Sequence, residues 1–253
     1  MTEKERGDKT LEELRVAGQR IIVALDCDWE SATRLAKALR GKVWGFKLGS
    51  EAVTQYGMNI VHALRRLEVK VMVDTELKST PRTIGTTIHR LVFAGVEHLT
   101  LFCDNNDASL RTAIRVAGAN RLVGTSVLSS LSDSDANELH QRDLVPILVD
   151  CAKRSISTGL INMTCPARLL QFLDEYPHIM ATRRLDIFAT GVRTESLFER
   201  DDHFQVATPA DAIRAGAKFV IMGRPFTVTD NPLKVAEEVS EGIRFALLER
   251  DEL

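Results

Sequence analysis

Charged side chains follow three consecutive apolar runs of the sequence, each at the point where the run ends. Asp26 follows IIVAL, Lys47 follows KVWGF, and Asp74 follows KVMV. If these runs are neighbouring parallel strands, two carboxylates and one ammonium group meet at one edge of the sheet. Such a cluster perturbs pKa values and suits proton transfer or the binding of substrate hydroxyl groups. The alternative is structural, because an aspartate after a strand often caps the next helix and a lysine between carboxylates forms ordinary ion pairs.

The third run is followed by two further ionisable side chains, Glu76 and Lys78. Successive side chains of an extended strand point to opposite sides, so we expect residues 74, 76 and 78 to share one side. Glu76 and Lys78 are therefore candidates for acid–base roles beside Asp74. Two serines, Ser129 and Ser130, close the fifth run in the same way.

Glycine and arginine follow the last two apolar runs, which continue into TGVR at 190 to 193 and GRP at 223 to 225. Gly191 and Gly223 would let backbone N–H groups approach a ligand closely, and Arg224 can hold two phosphate oxygens through its planar fork. Loops seven and eight of a (β/α)₈ barrel commonly form a phosphate site. We therefore predict phosphate binding here; the alternative is that the glycines only end strands and Arg224 is a surface charge.

The apolar runs that we interpret as strands recur about every 28 residues, which leaves room for one helix and two short loops between them. Helical spacing is clearest between the first two runs, where four apolar residues fall at i, i+3, i+4 and i+7. Those residues are Ala32, Leu35, Ala36 and Leu39. The eight runs are residues 21 to 25, 42 to 46, 70 to 73, 96 to 102, 121 to 128, 159 to 163, 185 to 189 and 218 to 222.

Eight apolar strands alternating with helices indicate an α/β protein with a parallel sheet whose faces are covered. Because no linker or change in composition divides the chain, we predict a single (β/α)₈ TIM barrel over residues 1–253. We expect residues 1–20 to form an extra helix around Leu11 to Val16. A doubly wound open sheet is the alternative architecture.

Composition limits the classes of partner. The 253 residues carry 33 lysines and arginines against 35 aspartates and glutamates, and the net charge of −2 argues against nucleic-acid binding. No apolar run approaches the roughly 18 to 20 residues of a membrane-spanning helix, and the charged start lacks the apolar stretch of a signal peptide. We therefore expect no membrane partner and a cytoplasmic location. The cysteines form no CxxC pair and the histidines no HxH or HxxxH pair, so we predict no metal site.

Several of these segments together resemble the orotidine 5'-phosphate decarboxylase family and its phosphosugar-decarboxylase relatives. They are ALD at 24 to 26, FKLG at 46 to 49, VD at 73 and 74 followed by Pro-x-Thr, TGVR at 190 to 193, and ATPADAIRAGAKFVIMGRP at 207 to 225. The resemblance spans residues 20 to 245. It implies a barrel without a cofactor that converts orotidylate to uridylate and CO₂ in pyrimidine biosynthesis. It also implies a homodimer with active sites at the subunit interface.

The resemblance assigns roles position by position. Asp26 would contact the ribose hydroxyls, Lys47 would bind the sugar and join a charged network, and Ser130 would recognise the pyrimidine. Asp74 would open the catalytic motif. The remaining substrate-binding residues, at the phosphate end, would be Gly191, Val192, Arg193, Gly223 and Arg224.

The catalytic motif departs from the family pattern, which is Asp-x-Lys-x-x-Asp. The sequence from Asp74 reads DTELKSTP, so Glu76 stands at the position of the proton-donating lysine. Ser79 stands at the position of the second aspartate, which the neighbouring subunit normally supplies. A glutamate cannot supply the positive charge that stabilises a carbanion. Lys78 or Lys47 is the candidate replacement.

Three functions are consistent with this pattern. The first is orotidylate decarboxylation, or decarboxylation of another phosphorylated sugar acid, with Asp74 and Glu76 in altered acid–base roles. The second is a binding protein that recognises a phosphorylated ligand without decarboxylating it. The third is an aldolase that uses Lys47 as a Schiff-base amine, which flanking carboxylates disfavour because they keep the lysine protonated.

Overall fold

The eight strands form one closed parallel barrel in which each strand pairs with the next and the eighth pairs with the first. The structure is a computed structural model and describes residues 3–176, 185–194 and 207–253. Helices follow the strands around the outside, as the α/β alternation predicts. The prediction of a (β/α)₈ barrel is therefore confirmed, and the open doubly wound sheet is wrong.

The strands lie close to the predicted runs. They are β1 Ile21–Ala24, β2 Gly45–Gly49, β3 Val71–Leu77, β4 His98–Phe102, β5 Leu122–Thr125, β6 Asn162–Pro166, β7 Asp186–Thr190 and β8 Ala217–Met222. The described α-helices are α1 Glu3–Gly18, α2 Trp29–Leu39, α3 Ser50–Tyr56, α4 Met58–Arg66, α5 Pro81–Phe93, α6 Asp107–Ala117, α7 Asp133–His140, α8 Leu144–Thr158, α9 Leu170–Asp174, α10 Pro209–Arg214, α11 Arg224–Thr227 and α12 Pro232–Glu249.

Three strands, β2, β3 and β6, end at least three residues later than the apolar runs indicate. The run at 42 to 46 predicts a strand that stops before Lys47, but β2 spans Gly45–Gly49 and includes that lysine. Similarly, β3 continues past the run at 70 to 73 and contains Asp74 and Glu76. The reason is that the carboxyl ends of barrel strands line a polar cavity, so their side chains are polar although their backbones remain in the sheet.

Apolar side chains fill both the inside of the barrel and the layer between strands and helices. The inner cluster includes Met72, Phe188 and Ile221. The outer layer takes the apolar faces of the helices, including the predicted stripe of α2, whose four residues are all buried. This double burial explains why the strand sequences are almost continuously apolar.

Aromatic side chains close the amino-terminal end of the barrel. Trp44 stacks on His98 with ring centroids 4.9 Å apart, and His98 meets the edge of Phe188 at 5.1 Å. Phe219 contacts both Trp44 and Phe188. We call these four residues the aromatic plug, and they leave the carboxyl end of the barrel as the open end.

Local sequence signals begin the helices where expected. Thr208 accepts a hydrogen bond from the N–H of Asp211 and Asn231 accepts one from that of Lys234, and each cap precedes a proline at the first turn. The N-terminal helix α1 packs against α12. None of the helices in the described ranges is long and apolar enough to cross a membrane.

Candidate active site

A polar cavity of about 310 Å³ opens at the carboxyl ends of the strands. Its lining comes from the ends of all strands but β4 and from the loops that follow them, so only closure of the barrel brings these side chains together. The lining residues are Ala24, Asp26, Lys47, Asp74, Glu76, Thr125, Val127, Leu128, Ser129, Ser130, Thr164, Thr190, Gly191, Arg193, Ile221, Gly223 and Arg224.

The centre of the cavity is an ion pair between neighbouring strands. Lys47 Nζ donates a hydrogen bond to Asp74 Oδ2 at 2.9 Å, and the two side chains are only 14% and 20% exposed. Burial acts to lower the pKa of Lys47, but the carboxyl groups of Asp74, Asp26 and Glu76 outweigh it and raise that pKa. Lys47 is therefore a stable ammonium group, which opposes its use as a Schiff-base amine.

Glu76 lies beside this ion pair in an unusual backbone conformation. Its φ angle is +48°, which is uncommon for a residue other than glycine, and the β3–β4 register shifts between Val73 and Leu77. The Glu76 side chain lines the cavity. Burial and the Asp74 carboxylate raise the pKa of Glu76, against the opposing effect of Lys47. Glu76 therefore keeps its proton to a higher pH than an ordinary glutamate.

Lys78 and Ser79 lie outside the cavity. Lys78 Nζ forms an ion pair with Asp104, and both side chains are more than half exposed. The expectation that Lys78 shares one side with Asp74 and Glu76 is wrong, because the bulge at Glu76 interrupts the alternation of the strand. Asn105, which is buried after β4, accepts a hydrogen bond from the N–H of Ser79.

The predicted phosphate end forms the opposite wall of the cavity. Gly191 has a φ of +68°, and a Cβ added there would lie 3.2 Å from Ser129 Cβ. Gly223 packs against Asp26 in the same way, since its Cβ would lie 3.1 Å from Asp26 Oδ2. At both positions the missing side chain thus allows close packing, of Gly191 against Ser129 and of Gly223 against Asp26.

Of the other three residues predicted for the phosphate end, two line the cavity and one is buried in the core. The side chains of Arg193 and Arg224 line the cavity. Val192 is fully buried and forms a backbone bridge with Ala207, so its side chain faces the core.

Three threonines at the site were missed by sequence reasoning. Thr125 on β5 and Thr164 on β6 line the cavity. Thr100 on β4 accepts a hydrogen bond from the backbone N–H of Glu76. Each is a buried polar residue of a barrel strand. A threonine within or directly after an apolar run is the sequence signal that could have identified them.

The sequence profile of the orotidine 5'-phosphate decarboxylase / HUMPS family matches residues 19–239. The chain belongs to this family. The resemblance inferred from the sequence motifs is confirmed, and it places the chain in a family of carboxy-lyases.

Individual members of the orotidine 5'-phosphate decarboxylase / HUMPS family match along almost their whole length. The orotidine 5'-phosphate decarboxylase of Wolbachia sp. subsp. Brugia malayi is 30% identical over 227 residues, which cover 88% of this chain and 98% of that protein. That of Lawsonia intracellularis is 27% identical over 234 residues, covering 88% and 99%.

Solved structures show the same fold. The orotidine 5'-phosphate decarboxylase of Pyrococcus horikoshii superposes with a TM-score of 0.70 at 19% identity, covering 88% of this chain and 99% of that one. An uncharacterized conserved protein from Geobacillus kaustophilus gives a TM-score of 0.72 at 21% identity with the same coverage.

Within the described residues, no group of three histidine, cysteine or acidic side chains is arranged to hold a metal ion.

Proposed function

We propose that this protein binds orotidine 5'-phosphate and decarboxylates it to uridine 5'-phosphate, with neutral Glu76 as the proton donor. The observation that carries the proposal is the continuity of one cavity, which joins the Lys47–Asp74 ion pair to the glycine and arginine loops. Family members with this name match the chain over 88% of its length. The proposal needs no cofactor.

The phosphate would bind at the end formed by Gly191, Gly223 and Arg224. Backbone N–H groups and a guanidinium are suitable donors for a phosphate monoester. Asp26 would then accept hydrogen bonds from the ribose hydroxyls, since it lies between Gly223 and the Lys47 end of the cavity. Ser130 would face the pyrimidine from the loop after β5.

Chemistry would take place beside the Lys47–Asp74 pair. The bond between the carboxylate and the pyrimidine ring breaks, CO₂ leaves, and the electron pair stays on the ring carbon. The O–H of neutral Glu76 then gives its proton to that carbon, and the resulting carboxylate regains a proton from solvent. The Lys47 ammonium offsets the developing negative charge, but no second ammonium stands where the family motif has its lysine. We therefore expect slow turnover.

A specific observation favours a second candidate function, binding without decarboxylation. Lys78 pairs with Asp104 on the surface and does not reach the cavity, so it does not replace the missing ammonium group. If Glu76 were ionised in the complex, it would repel both the substrate carboxylate and the carbanion. The protein would then recognise the phosphorylated ligand only.

Assembly and location are parts of the same proposal. The resemblance supports a cytoplasmic homodimer, because the motif position held by Ser79 is one that a neighbouring subunit normally supplies. Ser79 is exposed and lies outside the cavity, so a second subunit could contact it.

The deciding experiment follows the loss of orotidylate absorbance on adding purified protein. We compare the wild type with the double variant Glu76→Lys/Ser79→Asp, which restores the motif, and we measure uridine 5'-phosphate binding to both. One lost stabilising group costs about 10²- to 10³-fold in kcat, so the double variant should be faster by about 100-fold. Glu76→Gln should abolish the wild-type activity.

Two comparisons complete the design. Lys78→Ala should behave like Lys153→Ala, which removes an exposed lysine of α8. A dead Lys78→Ala protein would instead assign the proton donor to Lys78. A wild type that binds uridine 5'-phosphate without turnover, beside an active double variant, would contradict decarboxylation and support the second candidate or another phosphorylated sugar acid.

A further inference from the structure

The side chain of Thr100 connects the two acidic residues of the site. Thr100 lies in β4 and is fully buried. Its Oγ1 donates a hydrogen bond to Asp74 Oδ1 at 2.8 Å and accepts one from the backbone N–H of Glu76 at 2.9 Å. Because Lys47 binds the other oxygen of Asp74, both carboxylate oxygens are held by partners from neighbouring strands.

The bulge in β3 creates the need for this hydroxyl group. The β3–β4 register passes from Val73–Leu99 to Leu77–Leu101, so three residues of β3 have no counterpart in the regular ladder. A buried N–H group left without a hydrogen-bond partner destabilises the fold. Thr100 supplies that partner to Glu76 from the adjacent strand, at the residue whose φ angle is +48°.

We propose that Thr100 is a positioning residue of the active site, whose single hydroxyl orients the Asp74 carboxylate and holds Glu76 so that its carboxyl group faces the cavity. The catalytic part of this inference rests on the proposed function. A hydroxyl suits both tasks because it has one proton to give and lone pairs to accept with. Thr100 is not among the residues that line the cavity, so it acts through its hydrogen bonds to Asp74 and Glu76.

The test uses two variants of Thr100 and one matched control. Thr100→Val keeps the shape of the side chain and removes the hydroxyl, whereas Thr100→Ser keeps the hydroxyl. Thr158→Val removes the hydroxyl of another buried threonine, on α8, outside the cavity. Amide hydrogen exchange measured by NMR and orotidylate turnover are recorded for each full-length protein.

We expect Thr100→Val to speed exchange of the Glu76 amide by at least about tenfold relative to the other β3 and β4 amides. It should also lower kcat by at least about tenfold with KM changed less than twofold, because the reacting groups are misplaced while the phosphate end is intact. Thr100→Ser should restore both values, and Thr158→Val should leave both at the wild-type level.

Two results would overturn the inference. One is unchanged protection of the Glu76 amide in Thr100→Val, and the other is a rise in exchange spread equally over the strands, which indicates a purely structural role. If no protein turns over orotidylate while the Glu76 amide alone loses protection, the positioning by Thr100 stands and the proposed reaction fails. Wild-type turnover retained in full by Thr100→Val overturns the catalytic part.

Discussion

Asp74 and Glu76 bring two carboxyl groups to one ammonium group, that of Lys47. The Lys47 ammonium group donates a hydrogen bond to Asp74, so Asp74 is the carboxylate of the ion pair. Burial of Glu76 and the neighbouring Asp74 carboxylate both act against ionisation of Glu76 and raise its pKa. The site thus contains a glutamate with a raised pKa beside the Lys47 ammonium group, an arrangement suited to acid catalysis.

Replacing Glu76 by glutamine tests this assignment through pH. Turnover by the wild type should decrease as the pH rises through the raised pKa of Glu76, because only the neutral acid donates a proton. The contribution of Glu76 to stability changes with pH in the same direction as turnover does. Unfolded Glu76 ionises near the ordinary 4.5, while the folded protein still holds the proton, so the contribution of Glu76 to the free energy of unfolding decreases as pH rises from 4.5 through the raised pKa. Urea unfolding across pH 4 to 8 measures this effect.

The control for this prediction is Glu30→Gln, which changes an exposed glutamate of α2. Its pH profile of stability should follow that of the wild type, whereas Glu76→Gln should lose the decrease. An identical pH dependence in Glu76→Gln and wild type would show that Glu76 ionises normally and cannot be the acid.

At the scale of elements, the loop after β7 depends on a backbone conformation that side chains disfavour. Gly191 has a φ of +68°, and a Cβ added there would lie only 3.2 Å from Ser129 Cβ in the loop after β5. The two loops therefore meet closely, at a backbone conformation that favours glycine. This contact places the backbone of the β7 loop at the cavity, where a phosphate would bind.

We expect Gly191→Ala to lower the free energy of unfolding by about 1 to 2 kcal/mol and to weaken uridine 5'-phosphate binding. Gly242→Ala is the matched control, because Gly242 lies within helix α12 and its Cβ would meet Ala210 Cβ at an ordinary 3.8 Å. That change should stabilise the protein by up to about 1 kcal/mol and leave binding unaltered. Chemical unfolding and calorimetric titration measure the two quantities. Equal effects of the two changes would disprove the role of the loop.

For the molecule as a whole, the two ends of the barrel have opposite characters. The carboxyl end is a polar cavity, and the amino end is closed by the aromatic plug. His98 lies inside that plug, and its buried Nδ1 has no hydrogen-bond partner among the residues that the structure describes. Burial lowers the pKa of His98 to about 4. The folded barrel therefore requires neutral His98.

This requirement predicts that the protein loses stability in mild acid. Unfolded His98 takes up a proton below its ordinary pKa of 6.5, whereas folded His98 does so only near 4. The contribution of His98 to the free energy of unfolding should thus decrease by on the order of 3 kcal/mol as the pH falls from 6.5 to 4. His98→Phe, which keeps an aromatic ring without a titrating group, should lose most of this dependence. His62→Phe, on the exposed face of α4, should keep it, as unfolding curves at each pH would show.

The oligomeric state is the second prediction at this scale. We expect a homodimer of the 28.1-kDa chain, because the resemblance implies active sites shared between subunits. Light scattering coupled to size-exclusion chromatography gives the mass directly. A species of one chain at micromolar concentration would contradict the shared site and would leave Ser79 without its role at an interface.

The barrel, the placement of the charged residues on consecutive strands and the position of the two glycine loops proposed to bind phosphate could all be predicted from the sequence. Those features depend on local patterns: apolar runs, helical spacing, and glycine or proline at element ends. Asp26, Lys47 and Asp74 could be assigned to the site because the carboxyl ends of parallel strands must meet in a closed barrel.

Only the three-dimensional structure shows which side chains of the altered motif reach the cavity. Uniform alternation predicts Glu76 and Lys78 on one side, but the bulge in β3 turns Glu76 inward and leaves Lys78 to pair with Asp104 outside. The hydroxyl of Thr100 on β4 is hydrogen-bonded to the Glu76 N–H at that bulge. Glu76 and Thr100 are 24 residues apart in the sequence, and a contact between them produces no periodic pattern of residue types. Only the folded barrel shows it.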